Sequence, residues 1–248
     1  MDLQLKGLRA LVTGSTAGIG AAIARTLAAE GCDVAICSRS ADRVEAMLAT
    51  LADCPGRAVG RAVDVTDEAA FSDWVSAAAG QLGGLDIYVA NVSAMTTDWR
   101  QTVTTDILAT VSGIDTVLPW LSQSSHAAIV YVSSIAGLVG VPQLASYGAA
   151  KAAMTHYMKS LSVRLVKKGV RVNAVAPGDI LFEGGIWDRT RRENPELFAK
   201  VLKRNPMGRL GTPGEIANAV AFLASPAASF VTGSQLVVDG GNTTHVQI

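Results

Sequence analysis

The stretch ALVTGSTAGIGAAIARTLAAEG, residues 10–31, joins a short apolar strand to an alanine-rich helix through a glycine-rich turn. Its glycines would let backbone N–H groups approach a phosphate at the N-terminus of the helix. A glycine-rich string alone could also be a tight turn between strand and helix. Because this one follows a strand and opens an amphipathic helix, it favours dinucleotide binding. The residues predicted to contact the dinucleotide here are Gly14, Ser15, Thr16, Gly18, Ile19 and Gly20.

Strands and helices alternate along the whole chain. Near-continuous apolar runs predict strands buried on both faces at residues 10–13, 33–38, 58–64, 87–91, 128–133, 171–176 and 235–239. Helices are predicted near residues 18–30, 41–52, 67–81, 100–122, 147–168 and 213–225. This alternation is typical of a doubly wound α/β fold with a parallel sheet. No repeat or linker interrupts residues 1–248, which predicts a single domain.

The composition favours a large buried core and argues against several kinds of partner. Of the 248 residues, 49% are hydrophobic and 17% are charged, and 21 basic side chains balance 21 acidic ones. This balance gives no reason to expect nucleic acid or an anionic membrane as a partner. No apolar run reaches the ~20 residues of a membrane span, and the first residues lack the apolar region of a signal peptide. Cys32, Cys37 and Cys54 lack metal-ligand spacing, so we expect reduced thiols, a cytoplasmic protein and no metal site.

The second predicted strand ends in AICSRS, residues 35–40. In dinucleotide folds a carboxylate near this point binds the adenosine ribose, whereas an arginine accommodates a 2′-phosphate. The strand ends here in Ser38 and Arg39, a hydroxyl and a bidentate phosphate donor, with no carboxylate. A solvent-exposed arginine without a ligand is the plain alternative. We therefore expect NADP(H) as the cofactor in preference to NAD(H).

One charged segment breaks the alternation of strand and helix, FEGGIWDRTRRENPELFAKVLKRNPMGRLG at residues 182–211. It could be a solvated surface insertion. Because open α/β sheets bind ligands at the carboxyl ends of their strands, it could instead be a substrate lid, at about residues 182–206. We expect one helix within it, near 189–203, with Trp187, Leu197 and Leu202 buried.

Seven short motifs follow one another along the chain: TGSTAGIG (13–20), DVTD (64–67), VANVS (89–93), VSS (132–134), YGAAK (147–151), NAVAPG (173–178) and VDGG (238–241). In this order they resemble the short-chain dehydrogenase/reductase family over essentially the whole length. No single motif is decisive, but seven in register are a specific signal. The resemblance implies a Rossmann-type domain that transfers a hydride between a nicotinamide cofactor and an alcohol or carbonyl.

The resemblance also assigns the remaining cofactor contacts. Asp64 would bind the adenine amine, with Val65 lining that pocket, and Asn91 would lie beside the adenine-side ribose. The nicotinamide would be walled by Pro177, Gly178 and Ile180. Each position has a simpler explanation, since Asp64 could merely end a strand and Pro177–Gly178 could merely form a turn.

The stretch SYGAAK, residues 146–151, places Tyr147 and Lys151 four residues apart on one helical face. With Ser134, thirteen residues before the tyrosine, they match the family's catalytic set. A free tyrosine has a pKa of about 10, too high for efficient proton transfer near neutral pH. An ammonium and an oxidised nicotinamide beside Tyr147 would lower that pKa. Ser134 would then bind the substrate oxygen and Lys151 the nicotinamide ribose, whereas strand alternation points Ser133 away.

The sequence departs from the family pattern in three places. The usual Asn-Asn-Ala-Gly reads Ala-Asn-Val-Ser, ending in Ser93, which alters the packing of this loop. The fourth catalytic residue, an asparagine that holds a water near the lysine, is replaced by Asp106. Asp106 could be tolerated in a working relay, or it could shift the pH profile and reduce turnover. A threonine that reaches the nicotinamide carboxamide is replaced by Phe182.

The expected function is oxidation or reduction of a secondary alcohol or ketone. A 3-oxoacyl-thioester reductase of the same family is the near alternative, and a catalytically weakened NADP(H)-binding sensor is the alternative of another class. We expect a homo-oligomer, dimer or tetramer, because the family pairs two long helices between subunits. An apolar stripe of Met154, Tyr157, Leu161 and Leu165 could serve that pairing or ordinary core packing. The apolar C-terminal GNTTHVQI would also suit docking on a neighbouring subunit.

Overall fold

A computed structural model describes residues 2–244 and contains one parallel sheet of seven strands. The strands are β1 (Arg9–Thr13), β2 (Asp33–Ser38), β3 (Ala58–Ala62), β4 (Ile87–Ala90), β5 (Ala128–Val132), β6 (Arg171–Pro177) and β7 (Gln235–Val238). Their order across the sheet is β3-β2-β1-β4-β5-β6-β7. The strand order therefore reverses between β1 and β4, the point where sheets of this kind bind ligands. The predicted doubly wound α/β fold is confirmed.

Helices cover both faces of the sheet. They are α1 (Gly18–Ala29), α2 (Ala41–Leu51), α3 (Glu68–Leu82), α4 (Trp99–Thr102), α5 (Ala109–Leu121), α6 (Ala145–Leu165), α7 (Ile186–Glu193), α8 (Pro195–Arg204) and α9 (Pro213–Ala224). A π-helical turn, Val103–Leu108, joins α4 to α5, so the helix predicted near 100–122 is distorted at the position of Asp106. None of the helices in residues 2–244 is both long and apolar enough to cross a membrane.

Alternate side chains of each central strand pack into two separate cores. Val12 and Val130 point to the core formed with α1, α2 and α9, whereas Leu11 and Ile129 point to the core formed with α3, α5 and α6. This explains why the central strands read as unbroken apolar runs. For β3 and β7 the expected burial on both faces is wrong, because both lie at sheet edges and stay partly exposed.

The apolar stripe of α6 belongs to the second core. Met154, Leu161 and Leu165 are buried there, and Tyr157 packs against them half-buried. Core packing therefore explains the stripe, and it offers no free surface for a second subunit. The C-terminal GNTTHVQI can be followed only to residue 244, so its apolar end at 245–248 lies outside the described residues.

The charged segment after β6 contains two helices, so the single helix predicted near 189–203 is wrong. Asn194 ends α7 and caps α8, where its side chain accepts from the Leu197 N–H at 3.0 Å and Pro195 occupies the first turn. The expected burial is also wrong, since Leu197 is 44% exposed and Trp187 and Leu202 are only half-buried. Leu197 and Trp187 line an open cavity instead of packing into a core.

Candidate active site

A cavity of about 1650 Å³ runs along the carboxyl ends of the strands, across the point where their order reverses. The turn after β1 and the end of β2 form one end of its lining. The loops after β5 and β6 and the helices α7 and α8 also line it. Every predicted site residue lines this cavity except Ser15 and Asp106.

The turn after β1 presents an uncapped helix N-terminus to the cavity. Helix α1 has no side-chain cap at Ala17 and no acidic residue in its first turn, so its first N–H groups are free to bind an anion. Gly14, Thr16, Gly18, Ile19 and Gly20 line the cavity beside these groups. The turn therefore fits a dinucleotide pyrophosphate.

Ser15 does not join the other predicted residues of the turn. Its side chain is wholly buried, where the hydroxyl donates to Val12 O at 2.8 Å and accepts from the Cys37 N–H at 3.0 Å. Its own backbone N–H donates to Cys37 O. Ser15 therefore ties β1 to β2, and its side chain does not reach the cavity.

Gly20 leaves no room for a side chain. A Cβ at this position would collide with the carbonyl oxygen of Gly14 and come within 2.5 Å of Asn91 Nδ2. Asn91 in turn donates from Nδ2 to Thr13 O at 3.1 Å and to Gly14 O at 3.2 Å. The turn, the start of α1 and the end of β4 therefore hold one another in place.

Replacing Gly20 with Ala is expected to weaken cofactor binding by at least about tenfold, since the added methyl displaces Gly14 and with it the phosphate-binding N–H groups. Overpacking of this kind costs about 1–3 kcal/mol of unfolding free energy. Isothermal titration with NADPH and urea denaturation would measure both effects. The matched control is Gly80→Ala, because Gly80 lies in α3 with open space around it. If Gly20→Ala bound NADPH as tightly as the wild type, the fit of this turn to a dinucleotide pyrophosphate would be contradicted.

The end of the cavity beside the end of β2 is lined by Ser38, Arg39, Asp64 and Val65, and also by Arg43. Thr66 donates its N–H and its hydroxyl to Asp64 Oδ1 at 3.0 and 2.8 Å. The bond from the Thr66 N–H is the largest cause lowering the pKa of Asp64, and Arg39 adds to it. Arg43 was missed by sequence reasoning, although its place in the first turn of α2, just after Arg39, could have indicated it.

Ser134, Tyr147 and Lys151 meet in the cavity wall. Ser134 lies two residues after β5 and caps a short 3₁₀ turn, where its hydroxyl accepts from the Ala136 N–H at 3.1 Å. Tyr147 lies in the first turn of α6, and the Lys151 Nζ lies 5.5 Å from the centre of its ring. The Ser133 hydroxyl is engaged elsewhere, since it shares a hydrogen bond with Thr155 at 2.8 Å.

Taken together, the protein's own groups raise the pKa of Tyr147. Burial raises it, the Asp106 charge adds to the rise, and the hydrogen bond with Ser134 opposes them. The expectation of a lysine-lowered phenol is therefore not met by the protein alone.

Comparison with known proteins assigns the chain to a family. A family model described as enoyl-(acyl carrier protein) reductase matches residues 14–243. Isoepoxydon dehydrogenase of Aspergillus clavatus is 39% identical over 248 residues, covering 96% of this chain and 95% of that protein. The chain belongs to the short-chain dehydrogenase/reductase family. It is therefore an oxidoreductase of CH–OH groups, from a family that binds a nicotinamide cofactor.

Two further members of the short-chain dehydrogenase/reductase family support this assignment. Cis-4-hydroxycyclohexanecarboxylate dehydrogenase of Sinomonas cyclohexanicum is 39% identical over 246 residues, covering 94% of this chain and 96% of that protein. The structure of 7α-hydroxysteroid dehydrogenase complexed with NADH and 7-oxo glycochenodeoxycholic acid superposes with a TM-score of 0.91. It is 31% identical and covers 99% of this chain and 98% of its own.

This short-chain dehydrogenase/reductase departs from the family pattern at Asp106. Its side chain is wholly buried on the π-helical turn, where it accepts from Ser93 Oγ at 2.5 Å and from the Ala94 N–H at 2.9 Å. Lys151 Nζ lies 3.6 Å from Asp106 Oδ1 and donates to Val132 O at 3.1 Å. Burial lowers the pKa of Lys151 to about 8, and the Asp106 charge opposes this fall.

The second departure places an aromatic ring over the glycine-rich turn. Side chains added at Gly18 or Gly185 would come within 3 Å of the Phe182 ring, so this ring packs directly on both glycines. Pro177, Gly178 and Ile180 also line the cavity. A phenylalanine offers no hydroxyl to a nicotinamide carboxamide.

Proposed function

We propose that this protein is an NADP(H)-dependent oxidoreductase that transfers a hydride between the nicotinamide and a secondary alcohol or ketone. The convergence of Ser134, Tyr147 and Lys151 on one cavity wall carries this proposal. At the other end of the same cavity lies a glycine-rich turn that leads into an uncapped helix. One cavity thus offers a phosphate-binding end and a proton-transfer end.

The chain's own residues would bind, orient and move a proton. In carbonyl reduction, Ser134 donates a hydrogen bond to the substrate oxygen and Tyr147 delivers its proton to that oxygen. The Lys151 ammonium stabilises the phenolate that remains. When bound, the nicotinamide supplies or accepts the hydride. Asn91 would lie beside the adenine-side ribose, Lys151 would reach the nicotinamide ribose, and Asp64 would contact the adenine amine.

The preference for NADP(H) rests on two arginines at the adenosine end. Arg39 and Arg43 both line the cavity just beyond the end of β2, which has no carboxylate there. A 2′-phosphate would bind these cations, whereas a free ribose hydroxyl would gain little from them.

Changing Arg39 to Ala is expected to lower kcat/KM for NADPH by about tenfold to a hundredfold, because a charge-assisted hydrogen bond is worth about 1.5–3 kcal/mol. The kcat/KM for NADH should stay within about twofold, since NADH has no phosphate there to lose. Arg61→Ala removes the same charge from neighbouring β3 outside the cavity lining, and is the matched control. A parallel loss with both cofactors would overturn the NADP(H) assignment.

We infer that the substrate is a secondary alcohol or ketone carried on a carbon ring. The cavity beyond Tyr147 is lined by apolar side chains: Met95, Val139, Val141, Leu144, Ile186, Trp187, Leu197 and Val201. Several relatives are named for ring substrates, including a hydroxycyclohexanecarboxylate and a hydroxysteroid. Segment 182–206 would act as the substrate lid, since its half-exposed apolar residues face the cavity.

A panel of cyclic and straight-chain alcohols and ketones, followed at the absorbance of the reduced cofactor, tests this function. Turnover of ring substrates with NADPH is the expected result. Turnover of 3-oxoacyl thioesters alone would favour the near alternative, although Arg164, Lys167 and Lys168 at the far end of α6 could equally be a solvated face. Cofactor binding without turnover of any carbonyl would favour the sensor.

We also propose a cytoplasmic homo-oligomer, dimer or tetramer. The apolar side chains Trp99, Val103 and Leu108 are exposed on α4 and the π-helical turn, a face that a second subunit would cover. The three cysteines form no disulfide, as a reducing compartment would require. Sedimentation velocity would distinguish monomer, dimer and tetramer.

A further inference from the structure

Two of the departures from the family pattern touch each other. Ser93 stands where the family has glycine and Asp106 where it has asparagine, and the serine hydroxyl donates to Asp106 Oδ1 at 2.5 Å. A glycine would have no hydroxyl to donate. The two residues lie 13 positions apart in the chain and meet only because the loop after β4 folds against the π-helical turn.

The hydrogen bond from Ser93 limits how close the Asp106 carboxylate comes to Lys151. Ser93 holds Oδ1 and the Ala94 N–H holds Oδ2, so both oxygens already have donors. The ammonium then lies 3.6 Å from Oδ1, beyond the ~3.2 Å limit of an ordinary N–H···O bond. Lys151 donates instead to the carbonyl of Val132, at 3.1 Å.

The other groups around Lys151 are aromatic. From β5, the Tyr131 ring lies 4.8 Å from Nζ, and its buried hydroxyl has no partner within residues 2–244. From α6, the Tyr147 ring lies at 5.5 Å. Asp106 is therefore the nearest opposite charge, and its position sets how much of the ammonium's field reaches Tyr147.

We propose that Ser93 is a positioning residue, whose hydroxyl holds the Asp106 carboxylate short of direct contact with the Lys151 ammonium and so leaves that ammonium available to Tyr147. This inference rests on the proposed function, in which Tyr147 transfers the proton. Loss of the hydroxyl frees Oδ1 to close on Nζ. The closer carboxylate stabilises the ammonium but cancels more of its field at the phenol.

The direction in which each substitution moves the pKa of Lys151 and Tyr147 follows from this geometry. In Ser93→Ala the closer carboxylate raises the pKa of Lys151 and of the Tyr147 phenol. In Asp106→Asn the charge is gone, so the pKa of both groups falls. In Asp106→Asn the serine already has no carboxylate to hold, so Lys151 in the double variant Ser93→Ala/Asp106→Asn should titrate as in Asp106→Asn alone. Ser93 therefore acts only while Asp106 is present.

A lysine titration tests the proposal without turnover or cofactor. The free protein is labelled with ¹³C-lysine, the Cε resonance of Lys151 is assigned by its loss in Lys151→Met, and its midpoint is read by NMR. We expect a midpoint near 8 in the wild type. It should lie about 1 pH unit higher in Ser93→Ala and at least about 1 lower in Asp106→Asn. The proposal would be refuted if Ser93→Ala shifted the Lys151 midpoint equally in the wild-type and the Asp106→Asn proteins. It would also be refuted if Ser93→Ala left the midpoint of the wild-type protein unchanged.

The pH profile of alcohol oxidation supplies the second readout. Its acidic limb should move about 0.5–1 pH unit higher in Ser93→Ala and lower in Asp106→Asn, with the double variant matching the latter. Thr97→Ala, an exposed hydroxyl on the same loop, should leave the limb in place. If no substrate is turned over, the proposed function fails while the NMR titration still decides the role of Ser93.

Discussion

Replacing Tyr147 with Phe is expected to lower kcat by about 10³-fold, within the 10²–10⁴ range of a lost general acid or base. The ring keeps its place at the start of α6, buried in the cavity wall, so only the proton donor is removed. Cofactor affinity should stay within about twofold, because the phosphate-binding turn and the arginines are untouched. Steady-state kinetics and cofactor titration on the same preparation measure the two quantities separately.

The control for Tyr147 is Tyr157→Phe. Tyr157 lies on the same helix, half-buried against the second core and away from the cavity lining. Its substitution should leave kcat unchanged. If Tyr147→Phe kept more than a tenth of wild-type kcat, Tyr147 would not be the proton donor.

Relative to Lys151→Met, the wild-type free energy of unfolding is expected to rise by about 3 kcal/mol as the pH increases from 8 to 10.5. Lys151 is 2% exposed, and its burial lowers its pKa from the usual 10.5 to about 8. Between these values the unfolded chain holds a proton that the folded protein has released, so stability rises with pH. Below pH 8 both states are protonated, and the difference should be flat.

Urea denaturation at several pH values measures this difference, since the titrations of groups remote from Lys151 cancel between wild type and variant. Lys159→Met, which removes a more exposed lysine on the same helix, should show no such rise. A flat difference across this range would mean that Lys151 keeps its ordinary pKa in the folded protein. Lys151→Met should also lose most of its turnover, because no cation then stabilises the phenolate.

The strand and helix pattern could be predicted because it depends on residues that are close together in the chain. The apolar runs of the central strands and the glycine-rich turn after β1 depend on neighbours in the chain, and the structure confirms them. The edge strands were misjudged because β3 and β7 look like the central ones in sequence, and only their place in the sheet exposes them. The break at Asn194 could have been read from the Asn-Pro pair, which favours a helix end followed by a new start.

The candidate site was predicted through motifs in register, and the structure brings most of those residues to one cavity. Ser15 is the exception: its side chain turns inward to link two strands, a choice that depends on β2 lying beside β1. Arg43 lines the cavity because α2 begins two residues after Arg39, which directly follows β2. Such placements depend on packing between elements, not on residue types.

The sequence by itself determined the parallel α/β fold, the family and the residue types of the site, because strand burial, helix periodicity and glycine conformation act over a few residues. Only the tertiary structure decided that Ser93 holds Asp106 and that Asp106 lies 3.6 Å from Lys151. These residues come from three separate elements, and distances between their charges are set by how the elements pack. The charge balance on Tyr147 is therefore a property of the folded protein, invisible in the spacing of Tyr147 and Lys151.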